Sequence, residues 1–171
     1  LQRERVPAVF FEVGRSLGAV DAAGSLKLGA LSAYTEDLVN AGFTIGNHSY
    51  THAQLSKETG KPLEIEIGET DQLLRAIPGA HSQLFRFPYG ARTPIQLQAL
   101  KGYQLRSVLW NIDSLDWADP VPGYVESRVL REIAQEHRGI ILFHDIHDRA
   151  GKILPDLIHT LRSQGYRFAG L

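Results

Sequence analysis

Phe43-Thr44-Ile45-Gly46-Asn47-His48-Ser49-Tyr50-Thr51-His52 reads as a short strand over 43–47 that delivers His48 at its end. Gly42, just before it, suits the left-handed residue that closes a helix over 31–40. Past the strand, His48 and His52 stand four residues apart. A single turn of coil brings residues at that spacing onto one side, where two imidazoles can close on one divalent metal. In isolation such a spacing is more often a polar loop capped by Ser and Thr, so the rest of the chain has to decide.

Working outward, the same punctuation recurs. Ala41-Gly42-Phe43, Lys101-Gly102-Tyr103 and Gln164-Gly165-Tyr166 each set a glycine at a helix end and an aromatic at the start of the next strand. Strands are expected over 8–13, 84–87 (cut off by Pro88), 103–110, 140–143 and 166–169. Helices are expected over 62–77, from Thr93-Pro94 to Gly102, over 122–137 and over 153–163. Strands separated by helices cannot be hairpin neighbours, so the sheet should be mostly parallel, doubly wound or closed into a barrel.

Composition narrows the options. At 171 residues the chain suits one domain. It is short for a full eight-stranded α/β barrel, which takes about 250 residues. With 18 basic and 19 acidic residues, scattered, there is no electrostatic case for nucleic acid or an anionic membrane surface. The absence of cysteine excludes disulfides, thiolate ligands and a cysteine nucleophile, so any metal takes nitrogen and oxygen ligands. No apolar run approaches the roughly 20 residues of a membrane span, and Leu1-Gln2-Arg3-Glu4-Arg5 has no signal-peptide character. A polar start leading at once into a buried-looking strand suggests a piece of a longer polypeptide.

Ionisable and aromatic residues follow the strands in turn. The strand at 43 leads to His48 and His52, that at 84 to Arg86, Pro88, Tyr89 and Gly90, that at 103 to Asp113, Asp116 and Trp117, and that at 140 to His144 and Asp145. Each alone has a bland reading: a surface charge, a turn with a helix cap, a polar strand end. Together they trace the rim that parallel strands present at their carboxyl ends, where α/β folds place active sites. His81, His137 and His159 are read as structural, and His147 as a rim residue without a catalytic part.

The set H-S-x-T-H at His48 to His52, R-x-P-Y-G at Arg86 to Gly90, D-x-x-D-W at Asp113 to Trp117 and L-x-H-D at Leu142 to Asp145 resembles the second to fifth motifs of the polysaccharide deacetylases. This is the NodB-homology group, carbohydrate esterase family 4. The resemblance covers the chain from about Ala8 onward and implies an α/β, distorted (β/α) barrel of the NodB type, missing its first strand, as one truncated domain over 1–171. It implies metal-dependent removal of N-acetyl groups from an N-acetylglucosamine-containing polymer, namely peptidoglycan, chitin or chitooligosaccharide, and an exported location.

The resemblance also assigns roles. His48 and His52 bind a divalent metal, Zn2+ first, with Co2+ or another divalent ion as alternatives. His144 is the general acid, Asp116 its partner raising its pKa, and Arg86 holds the catalytic base. The Tyr89 backbone N–H completes the oxyanion site, Tyr89 and Trp117 offer faces to a sugar ring, and Leu142 meets the acetyl methyl. The family's first motif, an aspartate pair supplying a metal ligand and the base, is absent, and an upstream segment is the expected source. Asp113 shapes its loop or touches substrate with equal weight. The rivals are a metal- or carbohydrate-binding fragment without turnover and a two-histidine, one-carboxylate iron oxygenase.

Overall fold

The computed structural model describes residues 1–171, which divide into two units: Ala8–Leu109, and Leu1–Pro7 together with Trp110–Leu171. In the first, the apolar run Val9–Glu12 forms β1, and Gly14–Leu17 forms a single helical turn, α1. A small antiparallel hairpin follows, β2 (Gly18–Val20) with β3 (Leu26–Leu28). Then come α2 (Ser32–Asn40), β4 (Thr44–Asn47), α3 (Gly60–Ala76), β5 (Leu84–Phe85), α4 (Pro94–Gly102) and β6 (Arg106–Ser107). The strands β1-β4-β5-β6 pair in that order, all parallel, with β1 and β4 in register from Val9 opposite Thr44 to Glu12 opposite Asn47.

Helix α3 ties this unit together. Leu63 and Ile67 pack into one cluster with Leu55, Phe85, Phe87, Leu100 and Leu105. A turn further on, Leu73, Leu74 and Ile77 pack into a second with Leu17, Ile45 and Ala80. The recurrence at three and four residues is the amphipathic pattern that makes the segment helical and sets it on the sheet. Pairing on the sheet stops early where chemistry forbids it: Pro88 has no N–H to donate, so the 84–87 run pairs only through its first residues.

In the second unit β7 (Ile112–Asp113) pairs in parallel with β8 (Ile141–Leu142) across α5 (Pro122–Glu136), and α6 (Arg149–Ser163) follows. Val129 and Ile133 of α5 and Leu157 and Leu161 of α6 enclose Ile112 in a common core. Tyr166 and Phe168 pack against that core, and the Tyr166 hydroxyl donates to the Ile133 carbonyl at 3.1 Å. The expected last strand over 166–169 therefore docks by side chains and forms no ladder. No helix is long and apolar enough to cross a membrane.

The α/β, mostly parallel reading holds. The strands pair in three separate sheets, so closure into a barrel is not part of the hydrogen bonding. Other departures are local. Gly42 (φ 86°) and Gly165 (φ 89°) are left-handed as expected. At 102 the turn slips: Gly102 stays helical and Gln104 takes φ 57°, which shortens the expected strand over 103–110 to Arg106–Ser107 and leaves β7 as a separate piece. Helix α6 starts four residues before the expected 153, its first turn carrying an Asp148–Lys152 ion pair at 2.5 Å, and it tolerates Pro155 inside. The hairpin β2–β3 and the turn α1 were not foreseen.

Two threonines stand at helix starts with different local chemistry. The Thr93 hydroxyl accepts from the Ile95 N–H at 3.3 Å while the Gln96 side chain accepts from the Thr93 N–H at 2.8 Å, a reciprocal capping box. Thr59, at the start of α3, makes no cap hydrogen bond with its side chain. Thr93→Ala should therefore lower stability by about 1 kcal/mol. Thr59→Ala should stay within about 0.5 kcal/mol of the parent. Urea unfolding of the two variants checks the contrast.

Candidate active site

The carboxyl end of β4 delivers His48, and β5 lies alongside. The Arg86 N–H donates to the Asn47 carbonyl at 2.9 Å, and the His48 Nδ1 lies 2.7 Å from the Arg86 carbonyl. A carbonyl only accepts, so Nδ1 carries the proton and Nε2 carries the lone pair a metal needs. A histidine fixed through its other nitrogen in this way is the usual arrangement around metals. The His52 ring stands 4.8 Å from the His48 ring at 77°, and the Tyr89 ring 4.9 Å from His52 at 71°. The two imidazoles at the spacing read from the sequence therefore lie side by side at the end of β4.

The loop between them is held from several sides. The Asn47 side chain accepts from the Ser49 N–H at 2.9 Å, and the Ser49 hydroxyl from the His52 N–H at 3.0 Å. The carbonyls of Ser49 and Tyr50 accept from Gly14 and Arg15 at 2.9 and 3.0 Å. Gly14 is required here, because a Cβ would collide with the Thr70 hydroxyl and the Tyr50 ring. The Glu66 carboxylate of α3 accepts from the N–H groups of Tyr50 and Thr51. Sequence reading missed Glu66. Its signal was available: with Leu63, Ile67 and Thr70 it lies on the inward stripe of α3, where an acid is out of place.

Arg86 is buried, with its guanidinium 4.2 Å over the Phe11 ring, and burial lowers its pKa to about 10, which keeps it cationic at neutral pH. Tyr89 is a two-thirds exposed aromatic on a left-handed backbone, φ 58°. Four of the seven non-glycine residues with positive φ, namely Ser49, His52, Tyr89 and Leu115, lie in the motif stretches, a conformation that costs of order 1–3 kcal/mol each.

In the second unit, Asp116 is 3% exposed and His144 sits past β8. The His144 N–H donates to Asp116 Oδ2 at 2.7 Å, and its ring Nδ1 lies 2.8 Å from Oδ1. The Ser114 hydroxyl adds a third bond at 3.0 Å. Burial pushes the Asp116 carboxyl up, but the bonds and charge from His144 together with Ser114 outweigh it and hold the group below the ordinary carboxylate range. Two arginines clamp the loop: Arg149 donates to the Asp116 carbonyl at 2.6 Å and Arg128 to the Ser114 carbonyl at 2.8 Å. Asp113 shapes the turn, accepting from Leu115 N–H at 3.0 Å and from the Trp110 indole at 3.2 Å. Trp117 is half exposed and Leu142 is buried.

The expected residues thus fall into two groups: His48, His52, Arg86 and Tyr89 in the first unit, Asp116, Trp117, Leu142 and His144 in the second. The donor set of the first group fits a divalent transition metal, since neutral imidazoles suit Zn2+ and its neighbours. It provides two ligands, and no cluster of three or more His, Cys, Asp or Glu side chains comes together to hold an ion.

Comparison with known proteins agrees with the motifs. The sequence profile described as polysaccharide deacetylase matches residues 1–108. The peptidoglycan-N-acetylglucosamine deacetylase of Listeria monocytogenes is 29% identical over 168 residues, 98% of this chain and 33% of that protein. The chitooligosaccharide deacetylase of Rhizobium leguminosarum bv. phaseoli is 30% identical over 146 residues, 85% of this chain and 58% of that protein. A CE4 family pseudoenzyme from Bacillus anthracis superimposes with a TM-score of 0.86 at 24% identity, covering 100% of this chain and 56% of that one, a likeness of fold. The chain spans about a third to somewhat over half the length of these proteins. With the profile matching most of its length, this chain belongs to the polysaccharide deacetylase family.

Proposed function

We propose that this chain carries the metal-binding and acid residues of one catalytic domain that hydrolyses N-acetyl groups on an N-acetylglucosamine-containing polymer of the cell envelope. The observation that carries the reading is the His48–His52 pair, with rings 4.8 Å apart and the His48 tautomer set by the Arg86 carbonyl. His48 and His52 hold a divalent ion, Zn2+ before Co2+, through neutral imidazole nitrogens. When bound, such an ion lowers the pKa of its water towards roughly 7 and polarises the acetyl carbonyl.

The chain's own residues do the rest. Arg86 orients the carboxylate base by its buried charge, and the Tyr89 N–H donates to the oxygen on which negative charge gathers as water adds to the carbonyl carbon. As the C–N bond breaks, acetate leaves on one side and the amine nitrogen takes a proton. His144 supplies it. Ionised Asp116 can only accept, so it fixes the proton on Nδ1, and Nε2 is the atom that delivers. Tyr89 in the first unit and Trp117 in the second are exposed flat faces of the kind that stack on sugar rings, and Leu142, by family resemblance, is the residue for the acetyl methyl.

A second reading, binding of metal or carbohydrate without turnover, is favoured by the two-ligand count alone. Acetate release from chitooligosaccharide or peptidoglycan with added Zn2+ separates the readings. His48→Ala or His52→Ala should abolish zinc binding, while His144→Ala should keep zinc and lose acetate release. Equal zinc loss in all three variants contradicts this division of roles.

Asp116 supplies a pH signature. Because its folded pKa lies below the ordinary value, its stabilisation is complete above about pH 4 and is lost as the pH falls through the folded pKa. Asp116→Asn should cost about 1–3 kcal/mol near pH 7. Urea unfolding across the acid range should show that difference shrinking as the pH falls below the ordinary carboxylate range. A gap that widens on acidification is the opposite result.

A further inference from the structure

One carboxylate held against the loop between the two histidines has no part in the chemistry above. Glu66 is 7% exposed in α3. Its Oε2 accepts from the N–H groups of Tyr50 at 3.0 Å and Thr51 at 2.9 Å, and its Oε1 accepts from the Thr51 hydroxyl at 2.5 Å. Three donors compensate a buried anion, and such charge-assisted bonds are roughly twice as strong as neutral ones. Two of those donors are backbone groups of the residues lying between His48 and His52.

The rest of this loop is also spoken for: its Ser49 and Tyr50 carbonyls by Gly14 and Arg15, and its Ser49 and His52 N–H groups by Asn47 and Ser49 side chains. Ser49 and His52 both hold positive φ, 69° and 65°, so the loop needs an outside restraint to keep its shape. Glu66 meets that need with an acceptor-only group. Glutamine in its place leaves one neutral oxygen for the two backbone N–H groups and loses the charge that strengthens both bonds, while the Thr51 hydroxyl must turn from donor to acceptor.

We propose that Glu66 is a positioning residue for the metal centre: it orders the 48–52 loop in advance, so that both imidazoles meet the ion without the loop having to order on binding. This rests on the metal reading above. The test is zinc titration of the chain by calorimetry, together with amide hydrogen exchange of the metal-free chain by NMR, for the parent, Glu66→Gln and Thr51→Val.

Outer partners of metal ligands typically contribute about 10–100-fold in affinity. For Glu66→Gln the expected result is a zinc affinity about tenfold weaker and exchange about tenfold faster at the Tyr50 and Thr51 amides, with the β4 amide of Ile45 unchanged. Thr51→Val, at an exposed position that keeps both backbone bonds, should weaken zinc by a smaller factor, about threefold, and decides the matter should Glu66→Gln not fold. A residue serving only the core would shift the unfolding midpoint and leave zinc affinity of the folded protein alone. Parent-like affinity and protection in a folded Glu66→Gln chain, or in Thr51→Val should that be the only folded variant, overturn the proposal. A parent chain that takes up no zinc overturns the metal reading itself, and the exchange rates then decide whether Glu66 orders the loop.

Discussion

The first unit hangs on the hydrogen bond from His48 Nδ1 to the Arg86 carbonyl. It joins the ends of two parallel strands, so the register of β4 against β5 is also the orientation of an imidazole. The same peptide stretch sends the Arg86 side chain inward over Phe11 and leads through Phe87 and Pro88 to the left-handed turn at Tyr89. A shift of one residue in this pairing would reverse the face of every side chain beyond it. The proposed ligand His48, the buried cation Arg86 and the exposed aromatic Tyr89 therefore share one strand register, and the core residues Phe85 and Phe87, fully buried, fix that register by packing.

The second unit solves a related problem with charge. A carboxylate as enclosed as Asp116 would be expelled or protonated without donors, and it has three from His144 and Ser114. Arg128 and Arg149 act on the carbonyls of the same loop and leave the carboxylate to the histidine. The histidine is thereby bound through its backbone and its ring to one acid, which removes its freedom to rotate.

Much of this was legible because the informative residues punctuate strands. Spacing at His48 and His52, proline after a short apolar run, and glycine at Gly42 and Gly165 each carry a local physical meaning that tertiary packing did not override. Gln104 shows the limit: a glutamine with positive φ leaves no trace in composition, and its turn split one expected strand into two pieces. The hairpin β2–β3 was missed for a related reason. Its strands are three residues long and partly exposed, and its turn depends on Asp21 accepting from the Ala23 and Ser25 N–H groups at 2.8 and 2.9 Å. Glu66 was passed over because the helical pattern was read from its apolar residues, although an acid on their inward stripe was itself the signal.

The strained backbone at Ser49, His52, Tyr89 and Leu115 sets a direction for neutral drift. Glycine or asparagine at such positions relaxes the chain, whereas the side chains present oppose that relaxation. Lineages selected only to keep the domain folded would shed the aromatic and the imidazole first and become sturdier as they fall silent. Retention of these residues in a descendant is thus a sign that something other than stability still holds them there.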